Sequence, residues 1–126
     1  MAKRVDKEGP IHRAILAYLR AVLPDAIVHH GASEGVRGGR AGMLDGAKRA
    51  GMGQVTGWPD LIVLPWANVG PVFFEVKAPS SYPTEAQSEL HDRMRALGYR
   101  VGIVRSVDDT RAMLAAWGIG TREVKR

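Results

Sequence analysis

Apolar residues fall along this chain in two rhythms. Ile11, Ile15, Leu16, Leu19, Val22 and Leu23 recur at helical spacing, which puts them on one face of a helix. Proline suits the first turn of a helix, so the helix is expected to begin at Pro10, and Pro24 stops it. Ala26-Ile27-Val28 reads as a short strand. Asp60-Leu61-Ile62-Val63-Leu64 is a nearly continuous apolar run, the form expected of a strand buried on both faces. Pro65 to Pro71 is rich in turn residues and short enough for a hairpin. Val72-Phe73-Phe74-Glu75-Val76-Lys77 is the strand that follows, and Pro79 ends it. Thr84 and Gln87 have the spacing of a capping box. They open a helix whose buried face is expected from Leu90, Met94 and Leu97, with Gly98 where a C-terminal glycine belongs. Val101-Gly102-Ile103-Val104 reads as a strand. Ser106 caps a last helix carrying Val107, Met113, Leu114 and Trp117. The order is helix, strand, long loop, strand, strand, helix, strand, helix, without internal repeat. Its closing strand–helix–strand unit predicts an α/β fold: a mixed sheet with helices against it.

The stretches between these elements differ in character. Residues 1–9 read as a loose basic arm and residues 118–126 as a polar, basic tail. Residues 31–57 hold nine glycines with Arg37, Arg40, Lys48 and Arg49 among them. A loop of that length inside a compact domain is usually functional or disordered. The 126 residues match a single domain, 1–126, large enough to bury a core.

Composition narrows the function classes. Cysteine is absent, which excludes disulfides, thiolate metal sites and a cysteine nucleophile. The charged N-terminus has no apolar run behind it and does not read as a signal peptide. The longest uncharged stretch, Leu61 to Phe74, is broken by Pro65, Gly70 and Pro71 and is too short to span a bilayer. A soluble, intracellular protein is expected, with no membrane partner. The net charge of +5 raises the prior for a polyanionic partner, nucleic acid first. No Gly-Lys-Ser/Thr step occurs, so a nucleotide cofactor is unsupported.

The chemistry concentrates in the two central strands. Asp60 opens one and Glu75 lies near the end of the next. A hairpin can bring these carboxylates side by side, where an unpaired charge is costly and a hard cation such as Mg²⁺ or Mn²⁺ relieves the cost. Lys77 follows Glu75 by two residues, so on a strand both face one side and Val76 turns to the core. Two carboxylates, a metal and a lysine make a phosphodiesterase site, the metal lowering the pKa of a water and polarising the phosphoryl oxygen. The plainer alternative is a Glu75–Lys77 ion pair on an exposed strand edge, with Asp60 a turn residue after Pro59.

Gly57-Trp58-Pro59-Asp60-Leu61-Ile62-Val63-Leu64 followed by Phe74-Glu75-Val76-Lys77-Ala78-Pro79 resembles the PD-(D/E)xK nuclease signature. More narrowly, the chain resembles the virus-type replication-repair nuclease family, VRR-NUC. Thr84-Glu85-Ala86-Gln87 is similar to that family's helix entry, and Gly98-Tyr99-Arg100-Val101-Gly102-Ile103-Val104 to its closing strand. Glu8, before an amphipathic helix, resembles its N-terminal acid. Each motif alone is common; the ordered set, over roughly residues 8–114, is specific. The resemblance implies a restriction-endonuclease-like fold. It implies that Asp60 and Glu75 are metal ligands, that the Val76 carbonyl adds a third oxygen and that Glu8 supports a metal or its water shell. Lys77 is then the catalytic lysine, and Gln87 faces the site from its helix to hold Lys77 or the substrate. The activity implied is metal-dependent hydrolysis of DNA, selective for branched or junction structures, in a protein of viral type. A single domain of 126 residues has little surface to embrace a four-way junction, so a homodimer, with two sites related by symmetry, is expected. A non-enzymatic nucleic-acid-binding module on the same fold is the alternative, and an assembly protein with a basic loop is a third.

The remaining polar residues are weaker candidates. Arg37, Arg40, Lys48 and Arg49 could contact phosphates or form a solvated face. His29 and His30 are adjacent, so on a strand they point to opposite faces and cannot share one site. His12 and His91 read as solvated helix positions. Trp58 is expected to pack or to shape a phosphate site.

Overall fold

The computed structural model describes residues 6–31, 51–53 and 55–123. Its first helix, α1 (Glu8–Val22), buries Ile15, Leu19 and Val22 from the apolar stripe seen in the sequence. The helix starts at Glu8, two residues before the expected Pro10. The first N–H groups of a helix have no carbonyl partner within it, so Pro10 removes no bond there. Asp6 supplies an outside partner: its Oδ1 accepts the Gly9 N–H at 2.8 Å. Glu8 and Gly9 thus belong to the helix and not to the basic arm, whose residues 1–5 lie outside the described ones.

Four strands follow: β1 (Ile27–His30), β2 (Leu61–Leu64), β3 (Val72–Val76) and β4 (Arg100–Val104). They form a sheet in the order β1-β2-β3-β4. β1 runs farther than Ala26–Val28 because His29 and His30 pair with Ile62 and Leu61. β2 pairs antiparallel with β1 and with β3, the second pairing closing the hairpin over Pro65–Pro71. β3 and β4 are parallel, which requires a crossover. Helix α2 (Glu85–Ala96) makes it, and α3 (Val107–Ala116) follows β4. The sheet is mixed, as the order of elements predicted.

Local chemistry sets the helix ends. Thr84 Oγ1 accepts the Gln87 N–H and Gln87 Oε1 accepts the Thr84 N–H, completing the capping box of α2. Ser106 accepts the Asp109 N–H at the start of α3. Gly98 ends α2 with φ +95°, the left-handed geometry that glycine tolerates best.

Strand alternation divides the interior into two cores. Val72, Phe74 and Val76 of β3 join Ile15, Leu19, Leu61, Val63, Val104 and Leu114. Phe73, one step out of phase, joins Leu90, Met94 and Val101 on the α2 side. β3 is therefore buried on both faces, whereas β2 leaves Leu64 exposed. Two expectations need correction. Leu97 is 77% exposed, because it is the C-cap of α2 and lies past the last turn that faces the sheet. The start of the tail is docked: Ile119 is buried and the Arg122 N–H donates to Val22 O at 2.7 Å. No helix among the described residues is long and apolar enough to cross a membrane.

Candidate functional site

Register alone brings the two acids together. Leu61 pairs with Phe74 across β2 and β3, so Asp60 stands opposite Glu75 at the next step of an antiparallel ladder. Each carboxylate accepts a backbone N–H from across the β2–β3 pair. The Val76 N–H donates to Asp60 Oδ2 at 2.8 Å, and the Asp60 N–H donates to Glu75 Oε2 at 3.1 Å. Lys77 follows on the same side, with Nζ 3.6 Å from Glu75 Oε1. Gln87 reaches in from the first turn of α2 and donates Nε2–H to Glu75 Oε1 at 2.6 Å.

This places a carboxylate where water hardly reaches. Glu75 is 2% exposed and Lys77 8%. Burial, and after it the negative charge of Asp60, pushes the Glu75 carboxyl up to about 8; the Lys77 ammonium pulls the other way without cancelling that rise. An exposed-edge ion pair, the plainer reading of the sequence, does not describe this site. β3 lies between β2 and β4, and Asp60 uses its carboxylate on the β3 backbone.

The donor set fits a hard cation. Two facing carboxylates, one of them buried and resisting ionisation, gain most from a positive charge at their oxygens. Among the described residues, no group of three or more His, Cys, Asp or Glu side chains is gathered around one point. An ion held here would therefore complete its shell with backbone or water oxygens.

Asp60 also opens onto a cavity of about 540 Å³ lined by Glu8, His12, Arg13, Leu16 and His30. Glu8 reaches this cavity from the first turn of α1 and is not part of the Asp60–Glu75 cluster. His12 is not a solvated position: it is half-buried in the cavity wall, its ring 4.4 Å from that of His30. His29 and His30 are both exposed, but of the two it is His30 that lines this cavity, so the adjacent pair does not share one site. The pairing of His30 with Leu61, next to Asp60, was the signal in the sequence, and it became readable only with the register. His91 is the second correction. It is 1% exposed, because its turn of α2 faces the sheet, and burial followed by the charge of Arg95 lowers its pKa. Among the described residues, neither of its ring nitrogens makes a well-formed hydrogen bond. Trp58 packs, its ring edge-on to Phe73 at 5.7 Å. Arg37, Arg40, Lys48 and Arg49 lie outside the described residues.

Gly57 shows how tightly the strand entry is built against α2. It has φ +90°, and a Cβ there would stand 2.7 Å from Ala86 O and 2.9 Å from Gln87 N. The turn before Asp60 thus presses on the helical turn that carries Gln87.

Two solved structures share this fold. A VRR_NUC domain protein superposes with a TM-score of 0.69 at 20% identity, over 94% of this chain and 93% of its own. A second structure, a VRR_NUC domain, gives a TM-score of 0.58 at 24% identity, over 88% and 97%. No family model matches the chain, and no curated protein matches it by sequence. The likeness establishes the fold: it is the restriction-endonuclease-like fold of the VRR_NUC domains, covered nearly end to end.

Proposed function

We propose that this protein is a VRR-NUC-type nuclease that hydrolyses DNA phosphodiester bonds, with Asp60, Glu75 and Lys77 as its reacting core. The observation that carries this reading is the buried Glu75 carboxylate, held between Asp60, Lys77 and Gln87 at the ends of two core strands. A structural ion pair needs neither the second acid nor the burial. Asp60 and Glu75, with the Val76 carbonyl, would hold Mg²⁺ or Mn²⁺, and Glu8 would support the water shell from the cavity side. When bound, the ion lowers the pKa of a water and offsets charge on the phosphoryl oxygens.

The chain's own groups do the rest. Lys77 extends its ammonium on the Glu75 side and can hold the attacking water or a non-bridging phosphate oxygen. Attack on phosphorus forms one P–O bond and breaks another, and the leaving oxygen takes a proton from solvent. Gln87 fixes the rotamer of Glu75 by donating to Oε1; it is a positioning residue. Arg37, Arg40, Lys48 and Arg49 supply positive charge for substrate phosphates. Preference for branched DNA and action as a homodimer complete the reading. A homodimer would give two sites related by symmetry.

The test is cleavage of labelled four-way-junction, flap, duplex and single-stranded DNA with Mn²⁺, Mg²⁺ or EDTA. Asp60→Ala, Glu75→Ala and Lys77→Ala should each abolish cutting while the variants stay folded by circular dichroism. Unchanged cutting in all three sinks the proposal. DNA binding that persists in EDTA, with no cutting on any substrate, would support a binding module instead.

A further inference from the structure

The segment joining Lys77 to α2 carries a feature that the reaction core does not use. Its two ends are both residues of the site: Lys77 leaves β3, and Gln87 returns in the first turn of α2. Between them, Tyr82 stands 77% exposed. Arg105 holds this aromatic ring on one side. Its guanidinium lies 5.5 Å from the ring centroid, and its Nη2–H donates to Ser81 O at 2.8 Å. Arg105 is itself anchored, its backbone N–H donating to Asp109 Oδ2 at 2.9 Å. It follows Val104, whose carbonyl accepts the Lys77 N–H at 3.0 Å. The Tyr82–Arg105 pair therefore sits at the carboxyl ends of the parallel strands β3 and β4, beside Lys77. Ligands of open α/β sheets characteristically bind at that edge.

An exposed aromatic ring braced by a guanidinium is a stacking platform joined to a phosphate-binding cation. Fixing the ring in advance lowers the ordering cost of stacking on it. We infer that Tyr82 and Arg105 form a nucleotide-binding subsite that stacks an unpaired base of the substrate strand next to the scissile phosphate, with Arg105 available to its phosphate. The inference rests on the nuclease reading above. It adds a specificity: a base in continuous duplex has both faces covered by its neighbours, so the subsite works only where a strand is unpaired or splayed.

Two measurements test it on the full chain. The first is affinity for a labelled single-stranded oligonucleotide and for a blunt duplex, with Ca²⁺ in place of the catalytic ion. The second is quenching of 2-aminopurine fluorescence in the single strand, the signature of stacking. Tyr82→Ala should weaken single-strand binding roughly tenfold or more, abolish the quench and leave duplex affinity within about twofold. Tyr82→Phe should retain both the affinity and the quench. Tyr82→Leu keeps apolar bulk without a π face and should behave as the alanine variant does, which guards against a local folding defect in the latter. Equal losses on both DNAs, or a quench that survives Tyr82→Ala and Tyr82→Leu, would overturn the subsite while leaving the nuclease reading intact. A wild-type protein that neither binds nor cuts DNA would overturn both.

Discussion

Glu75 makes the stability of the metal-free protein depend on pH in one direction. Its carboxyl has an ordinary value of 4.5 and is raised to about 8 in the fold, by burial first and by Asp60 second. The folded state thus binds this proton more tightly than the unfolded chain does. The contribution is fully present below pH 4.5 and is lost as the pH rises through about 8. One proton bound differentially gives a slope of about 1.4 kcal/mol per pH unit inside that window, and the total is a few kcal/mol. A cation between Asp60 and Glu75 takes over the proton's role, so Mn²⁺ should restore stability, and more so near pH 8 than near pH 5. At about 100-fold over its dissociation constant an ion adds roughly 2.7 kcal/mol. That corresponds to roughly 3–5 °C in melting temperature per kcal/mol at this chain length. The assay is thermal melting of wild type and Glu75→Gln in EDTA or Mn²⁺ at several pH values. The glutamine variant cancels the background from the other titrating groups. It should show a flatter pH profile and little gain from Mn²⁺. Parallel pH profiles for the two proteins, or a Mn²⁺ gain that survives the substitution, would refute the reasoning.

Three further substitutions separate the packing of the site from its chemistry. Gln87→Glu keeps an oxygen for the Thr84 N–H but sets a second carboxylate against Glu75. It should cost about 1–3 kcal/mol in urea unfolding and shift metal affinity, whereas a residue serving only as a cap would tolerate the change. Gly57→Ala must adopt φ +90° and drive a Cβ into the backbone at Ala86 and Gln87. It should cost upwards of about 2 kcal/mol and impair cleavage. Gly53→Ala, at φ +95° with no clash for a Cβ among the described residues, should cost only the backbone strain, of order 1 kcal/mol.

Much of the fold was legible because short-range rules wrote it. The capping box at Thr84 and Gln87, the glycine at 98 and the serine cap at 106 all appear where their chemistry demands. The acids at 60 and 75 and the lysine at 77 stood out because charge in an apolar strand has a cost that must be met somewhere. What was not legible depended on the third dimension. His91 reads as polar on a helix, yet that turn of α2 faces the sheet and buries it. His30 becomes a neighbour of Asp60 only through the register of β1 on β2. The start of α1 at Glu8, ahead of Pro10, is possible because Gly9-Pro10 would break a helix interior but not its first turn. Gln87 reads in the sequence both as a helix cap and as a candidate site residue, and the two readings do not exclude each other. One amide accepts from Thr84 through oxygen and donates to Glu75 through nitrogen, so capping is what aims it.

The alternation of β3 ties stability to the site. Val72, Phe74 and Val76 fill one core, and Phe73 opens the other. Glu75 and Lys77 continue that second row at the strand's end, so the face that begins with an aromatic ring in a core finishes with a carboxylate and an ammonium at the sheet edge. Burying Glu75 is unfavourable by itself, and the surrounding groups offset the cost only in part: the Asp60 N–H, the Gln87 amide and the Lys77 ammonium all address it, yet its affinity for a proton stays high. A site fully satisfied by its own side chains would gain little from a cation. One that leaves a carboxylate reluctant to ionise gains a great deal. The two hydrophobic cores on either side of β3 hold that unfavourable arrangement in place, and the same residual cost is what an incoming divalent ion would relieve.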